Sequence, residues 1–266
     1  MSYPPRSLAF ILAPTDQGTL IVNRFDYQGQ PEGAGIGVGF QLLSRGTYEA
    51  QEADFVRNLL GLRRQCHGDG VVVVDCGANI GVFTVEWAKS MTGWGQVVAI
   101  EAQERIFYAL AGNIAINNCL NARAIHAAAG ASTGTMKIPQ PNYLMPATFG
   151  SLELRAREST EFIGQEVSYA EEHMAPVSMI TIDSVGFGRL DLLKIDVEGM
   201  ETDVLEGAKA SIERTRPILL IEHIKTDVPK LVAILTGHGY NHYVIGMNVL
   251  AIHTEDPVMK FVSVTP

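Results

Sequence analysis

The sequence predicts an α/β fold built on a mostly parallel sheet, and three observations carry that prediction. Residues 71–74 are four consecutive valines running into Asp75 and the glycine loop Cys76-Gly77-Ala78-Asn79-Ile80-Gly81. An unbroken β-branched run with no polar alternation marks a central parallel strand covered on both faces. From there strand-like and helix-like periods alternate, as in βαβ units. The alternation ends in two apolar stretches, 240–245 and 249–253, joined by Gly246-Met247-Asn248, a hairpin signature that makes the terminal pair antiparallel.

Each element follows from its local pattern. Residues 7–45 hold short apolar stretches, Leu8 to Leu12 and Leu20 to Val22, broken by Pro14, Gly18 and a glycine-rich tract. They read as small strands and hairpins of a β-rich N-terminal extension over 1–46, with the main domain over 47–266. A helix is expected from Thr47, with Phe55, Val56, Leu59 and Leu60 on its apolar face, Glu49, Glu52 and Asp54 in its first turns and Gly61 as its stop. After the valine strand come a helix over 81–90, a strand over 96–101, a helix over 105–117 and a strand over 122–128, wound right-handed. Between about 130 and 177 the alternation stops at Pro139, Pro141, Pro146, Gly150 and Gly164, which suits a β-rich insertion at the active-site edge. It resumes with a strand over 190–196, a helix over 198–213 that buries Met200, Val204, Leu205, Ala208 and Ile212, a strand over 218–222 and a helix over 228–237.

Charge and composition narrow the partners. A formal net charge of −9 over 266 residues opposes a nucleic-acid or anionic-membrane surface, which demands clustered lysine and arginine. No apolar run reaches the ~20 residues that span a bilayer, and Met-Ser-Tyr-Pro-Pro-Arg lacks the apolar core of a secretion signal, so a cytoplasmic protein is expected. Cys66, Cys76 and Cys119 are odd in number and lack paired ligand spacing, which disfavours a disulfide framework and a zinc site alike.

The glycine loop discriminates between nucleotide cofactors. Gly77 and Gly81 flank Asn79 and let the backbone turn tightly, approach a ligand and start a helix. Glu101 ends the next strand 20 residues beyond Gly81, where an acidic side chain in a doubly wound sheet accepts from both ribose hydroxyls of NAD or of S-adenosylmethionine. A dinucleotide fingerprint would read Gly-x-Gly-x-x-Gly, whereas here the middle glycine is missing and Asp75 precedes the loop. A carboxylate is unfavourable beside a diphosphate and favourable beside the ammonium of S-adenosylmethionine. Gly33-Ala34-Gly35-Ile36-Gly37-Val38-Gly39 also has glycines at dinucleotide spacing, but without a preceding strand or an acidic partner it reads as a decoy or a flap over the pocket.

A second constellation, Leu192-Leu193-Lys194-Ile195-Asp196-Val197-Glu198-Gly199-Met200-Glu201, sets one lysine and three carboxylates where a buried strand turns into a helix. Together with Val-Asp-Cys-Gly-Ala-Asn-Ile-Gly, Ile-Glu-Ala after the second strand, Leu-Glu-Gly-Ala and Leu-Leu-Ile-Glu-His, it resembles the FkbM family of S-adenosylmethionine-dependent methyltransferases, over roughly three quarters of the chain from Tyr48 to Ile245. The resemblance implies a Rossmann-like class I methyltransferase sheet whose seventh strand is antiparallel. It implies that Asp75, Gly77, Asn79 and Gly81 hold the methionine part of the cofactor, Glu101 the ribose and Asp196 the sulfonium end, with Tyr48 and Glu49 closing the site. The stretch 130–177 aligns only at Phe149-Gly150-Ser151-Leu152, so the acceptor is not inherited.

If the acceptor is a hydroxyl of a small molecule, sugar or glycolipid, as the family suggests, a base takes its proton during attack. His223, ending the strand beside that of Asp196, is the first candidate, against a packing role for the same ring; Lys194, Glu198 and Glu222 are alternatives. No metal is expected, because Asp196 and Glu198 have no further acidic partner in sequence. Two other readings stand beside this one: an NAD-dependent oxidoreductase or sugar-nucleotide enzyme, and a non-catalytic binding module.

Overall fold

The computed structural model describes residues 7–29 and 35–262. The chain opens with a hairpin, β1 (Phe10–Thr15) and β2 (Gly18–Asn23), and a two-residue pair, β3 (Gln28–Gly29) with β4 (Gly35–Ile36). Helices α1 (Val38–Arg45) and α2 (Ala50–His67) lead into β5 (Val71–Cys76), α3 (Val82–Ser90), β6 (Gly95–Glu101), α4 (Glu104–Ile116) and β7 (Ala122–His126). There follow β8 (Ala128–Ala129), β9 (Gly134–Pro139), β10 (Met174–Ile180), α5 (Ile182–Val185), β11 (Leu192–Ile195), α6 (Glu201–Glu206), α7 (Lys209–Thr215), β12 (Ile218–Glu222), α8 (Val228–Gly237), β13 (Tyr240–Ile245) and β14 (Asn248–His253).

Seven strands form the main sheet in the order β13-β14-β12-β11-β5-β6-β7. The five from β12 to β7 are parallel, and β14 runs antiparallel to both β12 and β13, as the terminal hairpin predicts. The chain moves outward from β5 through β6 to β7 and then returns to β11 on the other side of β5. That reversal opens a crevice at the carboxyl ends of β5 and β11, where α/β sheets bind ligands.

Strand alternation sorts the side chains onto two faces. Val71 and Val73 of β5, Leu192 of β11 and Ile218 and Leu220 of β12 pack into one core with α2 and α3, while Val72, Val74, Leu193, Leu219 and Ile221 pack into the other with α6, α7 and α8. Continued to the strand ends, the same period turns Asp75, Lys194, Glu222 and Glu101 toward the α2 and α3 face.

Three expectations need correction. Helix α2 continues through Gly61 to His67, because Arg63, beyond the glycine, is buried on Asp191 and Asp256 and holds the extra turns. Residues 38–45 form helix α1 rather than strand, with Val38 and Leu42 in the same core as Leu20 and Val22 of the hairpin. The single helix expected over 198–213 is two, α6 and α7, parted at Gly207, whose missing side chain leaves room for the Gly130 carbonyl; a Cβ there would sit 2.1 Å from that oxygen. In the stretch 130–177, β9 pairs antiparallel with β10, and residues 140–173 are irregular apart from single helical turns at Phe149–Ser151 and Glu171–His173. Among the described residues no helix is long and apolar enough to cross a membrane.

Candidate active site

The loop after β5 has a conformation that its residue types alone permit. Gly77 has φ 80° and lies so close to the chain after β11 that a Cβ would stand 1.7 Å from the Asp196 carbonyl oxygen. Gly81, at φ 83°, ends the turn and begins α3. Between them Asn79 adopts the left-handed region at φ 52°, and its N–H donates to Oε2 of Glu101 at 2.9 Å. The other oxygen of Glu101 accepts from the Gln103 N–H at 2.7 Å. Burial pushes the Glu101 carboxyl up to about 7, against the three backbone N–H groups of Gln103, Asn79 and Ala102 that favour its ionised form.

Asp75 is fully buried. Its Oδ2 accepts from the Thr84 hydroxyl at 2.6 Å, while Oδ1 has no hydrogen-bond partner and lies 4.0 Å from the Lys194 ammonium. Burial raises the Asp75 carboxyl, and Lys194 opposes the rise. Lys194 sits opposite Asp75 in the register of β5 and β11, over the Phe83 ring at 5.6 Å, and donates to Oδ2 of Asp196 at 2.9 Å. Burial alone would lower the lysine, but Asp196, Asp75 and Glu52 more than offset that and hold it protonated.

These groups line a cavity of about 450 Å³, within the size range of small-molecule and cofactor sites. Asp75, Gly77, Asn79 and Glu101 reach it from the ends of β5 and β6, and Lys194, Asp196, Glu198 and Glu222 from those of β11 and β12. Tyr48 and Glu49 line it from the start of α2, the former with its ring 5.9 Å from that of Phe83. Gly81 lies behind the wall as the cap of α3. Of the five non-glycine residues with positive φ among the described residues, Glu49, Asn79 and Glu198 all line the cavity, and such backbone strain persists where surrounding structure imposes it.

Two sequence expectations change here. His223 does not line the cavity that its neighbours Glu222, Ile224 and Lys225 line, and its Nε2 is buried without a hydrogen-bond partner. The premise that Asp196 and Glu198 lack an acidic partner also fails: oxygens of Asp196, Glu198 and Glu222 lie within 4.8 Å of one another. Burial and the nearby Asp196 raise the Glu198 carboxyl well above the usual range, while Lys225 opposes this.

Several groups here carried no signal in the sequence. Lys225 donates to Glu198 at 2.5 Å and to the Ser151 carbonyl at 3.0 Å, and pairs with Glu161 at 2.7 Å, so one ammonium ties the irregular stretch to the end of β11. Asp26, buried between the hairpin and α1, accepts from the N–H of Gly39 at 3.0 Å and of Phe149 at 3.1 Å. Burial pushes its carboxyl up to about 6. Gln103 donates to the Phe149 carbonyl at 2.8 Å and accepts from the Tyr143 hydroxyl at 3.0 Å, which holds the Phe149 turn over the Asn79 loop. Of the second glycine motif, residues 33 and 34 lie outside the described residues, whereas Ile36, Gly37 and Val38 line the cavity as the entry to α1.

The chain is similar to known methyltransferases. Residues 75–241 match the Methyltransferase FkbM domain. Methyltransferase sdnD of Sordaria araneosa is 25% identical over 195 residues, which cover 64% of this chain and 73% of that protein. Among solved structures, methyltransferase FkbM from Methylobacillus flagellatus KT is 20% identical with a TM-score of 0.46, over 70% of this chain and 44% of that one. Precorrin-6y C5,15-methyltransferase from Geobacter metallireducens GS-15 is 13% identical with a TM-score of 0.46, over 79% and 89% of the two chains. The match from Asp75 to Asn241 takes in the glycine loop, Glu101, the Lys194 to Glu201 segment and Glu222, and on it the chain belongs to the methyltransferase FkbM domain family.

Proposed function

We propose that this chain transfers a methyl group from S-adenosylmethionine to a neutral hydroxyl on a small molecule, sugar or glycolipid. The observation that carries the reading is one cavity that joins a glycine cradle and two buried carboxylates to a second group of acids. Its residues fit the cofactor. Gly77 leaves a bare backbone wall, and Oδ1 of Asp75 is a buried acceptor with no partner inside the protein, which suits a cationic or N–H-bearing ligand. Asp75, Gly77 and Asn79 would hold the methionine part, with Gly81 shaping the loop behind them, Glu101 would take the ribose hydroxyls, and Asp196 would face the sulfonium end with Tyr48 and Glu49 closing over it.

When bound, S-adenosylmethionine supplies an activated methyl group on a charged leaving group. The chain's own task is then to align a nucleophile and exclude water. Lys194 keeps Asp196 and Asp75 in place and cancels part of their charge, which offsets the repulsion between these two acids. Lys225 draws the irregular stretch against Glu198 and so encloses the acceptor side. The carboxylates there outnumber the lysines, with Asp196, Glu198, Glu222 and Glu161 against Lys194 and Lys225, which disfavours an anionic acceptor and favours a hydroxyl.

Titration calorimetry tests the cofactor half: S-adenosylmethionine and its demethylated product should bind, and NAD should not. Transfer of a methyl label from S-adenosylmethionine into a fractionated cell extract, followed by mass identification of the product, tests the acceptor half. Binding of NAD alone would overturn the reading.

A further inference from the structure

The carboxylates on the acceptor side of the cavity are not equivalent. Asp196 receives the Lys194 ammonium at 2.9 Å, and Glu198 receives that of Lys225 at 2.5 Å. Glu222, whose oxygen stands within 4.8 Å of both, receives no hydrogen bond on its carboxylate from any of the described residues. It lines the cavity at the carboxyl end of β12, half-buried, on the face shared with Asp75 and Lys194. Its lone pairs are therefore open to a ligand, unlike those of its two neighbours.

We propose that Glu222 is the general base that takes the acceptor's proton, an inference that rests on the methyl-transfer reading above. In the step, the acceptor oxygen forms a bond to the methyl carbon as the carbon–sulfur bond breaks. The electron pair of that bond stays on sulfur, and the hydroxyl proton passes to an Oε of Glu222 and later to water. Asp196 and Glu198 each already accept an ammonium hydrogen bond that occupies a lone pair and holds the group in place, which sets them aside. Lys194 is a cation with no lone pair to offer, and His223 stands outside the cavity.

The surroundings of Glu222 support that role. Burial raises its carboxyl to about 8; Asp196 and Glu201 add to the rise, and Lys194 and Lys225 oppose it. Glu198, from the turn after β11, faces it as well. A base whose pKa lies near the working pH combines a usable ionised fraction with a strong pull on the proton.

Glu222→Gln keeps the shape and removes the basicity, and Glu222→Asp keeps a carboxylate as the partial rescue. With methyl-labelled S-adenosylmethionine and a label-accepting extract fraction, E222Q should lower turnover by about 10²- to 10⁴-fold, the range for loss of a general base. Its calorimetric affinity for S-adenosylmethionine should stay within about twofold of the wild type. The wild-type rate should rise with pH through about 8, and E222Q should lack that inflection. In protein carrying ¹³C-labelled glutamate carboxyls, one resonance absent from E222Q should titrate near 8, a readout that needs no acceptor. A Glu222 resonance titrating in the ordinary carboxylate range overturns the proposal, as does E222Q with the wild-type rate and pH profile. An inflection that survives in E222Q and disappears in His223→Ala also overturns it. Turnover abolished by a chelator and restored by Mg²⁺ would make Glu222 a metal ligand instead. Wild-type protein that fails to bind S-adenosylmethionine at all defeats the methyl-transfer reading, and the ¹³C titration still decides the protonation of Glu222.

Discussion

Two buried carboxylates, Glu101 and Asp26, have pKa values raised to about 7 and about 6 by burial, so both hold protons in the folded state that the unfolded chain has released. With more protons bound in the folded form, the slope of stability against pH is negative: their contribution is fully present below about pH 4 and is lost as pH rises to 6 or 7. For Asp26 the shift from 3.8 to about 6 amounts to roughly 3 kcal/mol. The excess Tm of wild-type protein over Glu101→Gln should therefore shrink between pH 5 and 8 in thermal scans. S-adenosylmethionine affinity should move the other way, since ribose hydroxyls donate to the ionised form; calorimetry across the same range checks it, and E101Q should flatten the trend. At this scale much was legible in sequence. Asp75, Glu101 and Asp196 each follow a buried apolar strand, and strand ends in such sheets face the ligand crevice. At the end of β12, period-2 alternation from Leu220, in the α2 and α3 core, puts Glu222 on that face.

At the scale of elements, close backbone approach decides where chains bend. Gly77→Ala would put a methyl group 1.7 Å from the Asp196 carbonyl at a φ of 80°, so it should cost at least about 2 kcal/mol in urea unfolding and abolish S-adenosylmethionine binding. Gly207→Ala meets the carbonyl of Gly130 instead, and neither glycine lines the cavity. It should cost a similar amount, on the order of 2 kcal/mol, while protein that remains folded binds the cofactor with unchanged affinity. Neither role can be read from local pattern. A glycine inside a helical period looks like a weak helix residue whether the helix continues, as at Gly61, or breaks, as at Gly207, because the deciding atom belongs to a distant segment.

Across the whole molecule, the amino ends of the strands are fastened by charge. Arg63 of α2 lies buried between Asp191, just before β11, and Asp256, and Asp191 also accepts from the Val72 N–H at 2.9 Å and from Arg189 at 2.7 Å. Arg63→Met keeps Asp191 on Arg189 but takes the guanidinium from buried Asp256, and should cost about 3–5 kcal/mol in chemical denaturation. Because this cluster sits at the strand edge opposite the cavity, cofactor affinity of the folded fraction should be unchanged by calorimetry. The alternation of strands and helices was legible because each βαβ unit is written in contiguous sequence, whereas the return of β11 to the other side of β5 was not. The enclosure of the cavity was not, since it depends on Asp26 meeting a partner 123 residues away and on Lys225 meeting one 74 residues away, with no periodicity to announce either.

Asp26 fastens three segments, the hairpin, α1 and the Phe149 turn, through one buried carboxylate. Contacts of such long sequence separation are slow to form, so the cavity wall they make should be among the last parts of the chain to reach its native arrangement and the first to open. The amides of Gly39 and Phe149 then act as reporters: in native-state hydrogen exchange they should exchange ahead of the β5 amides, and added S-adenosylmethionine should slow them more than those of the sheet. Ligand affinity and the persistence of this wall are one linked equilibrium, so a substitution at Asp26, which lines no part of the cavity, would be felt there as weaker binding.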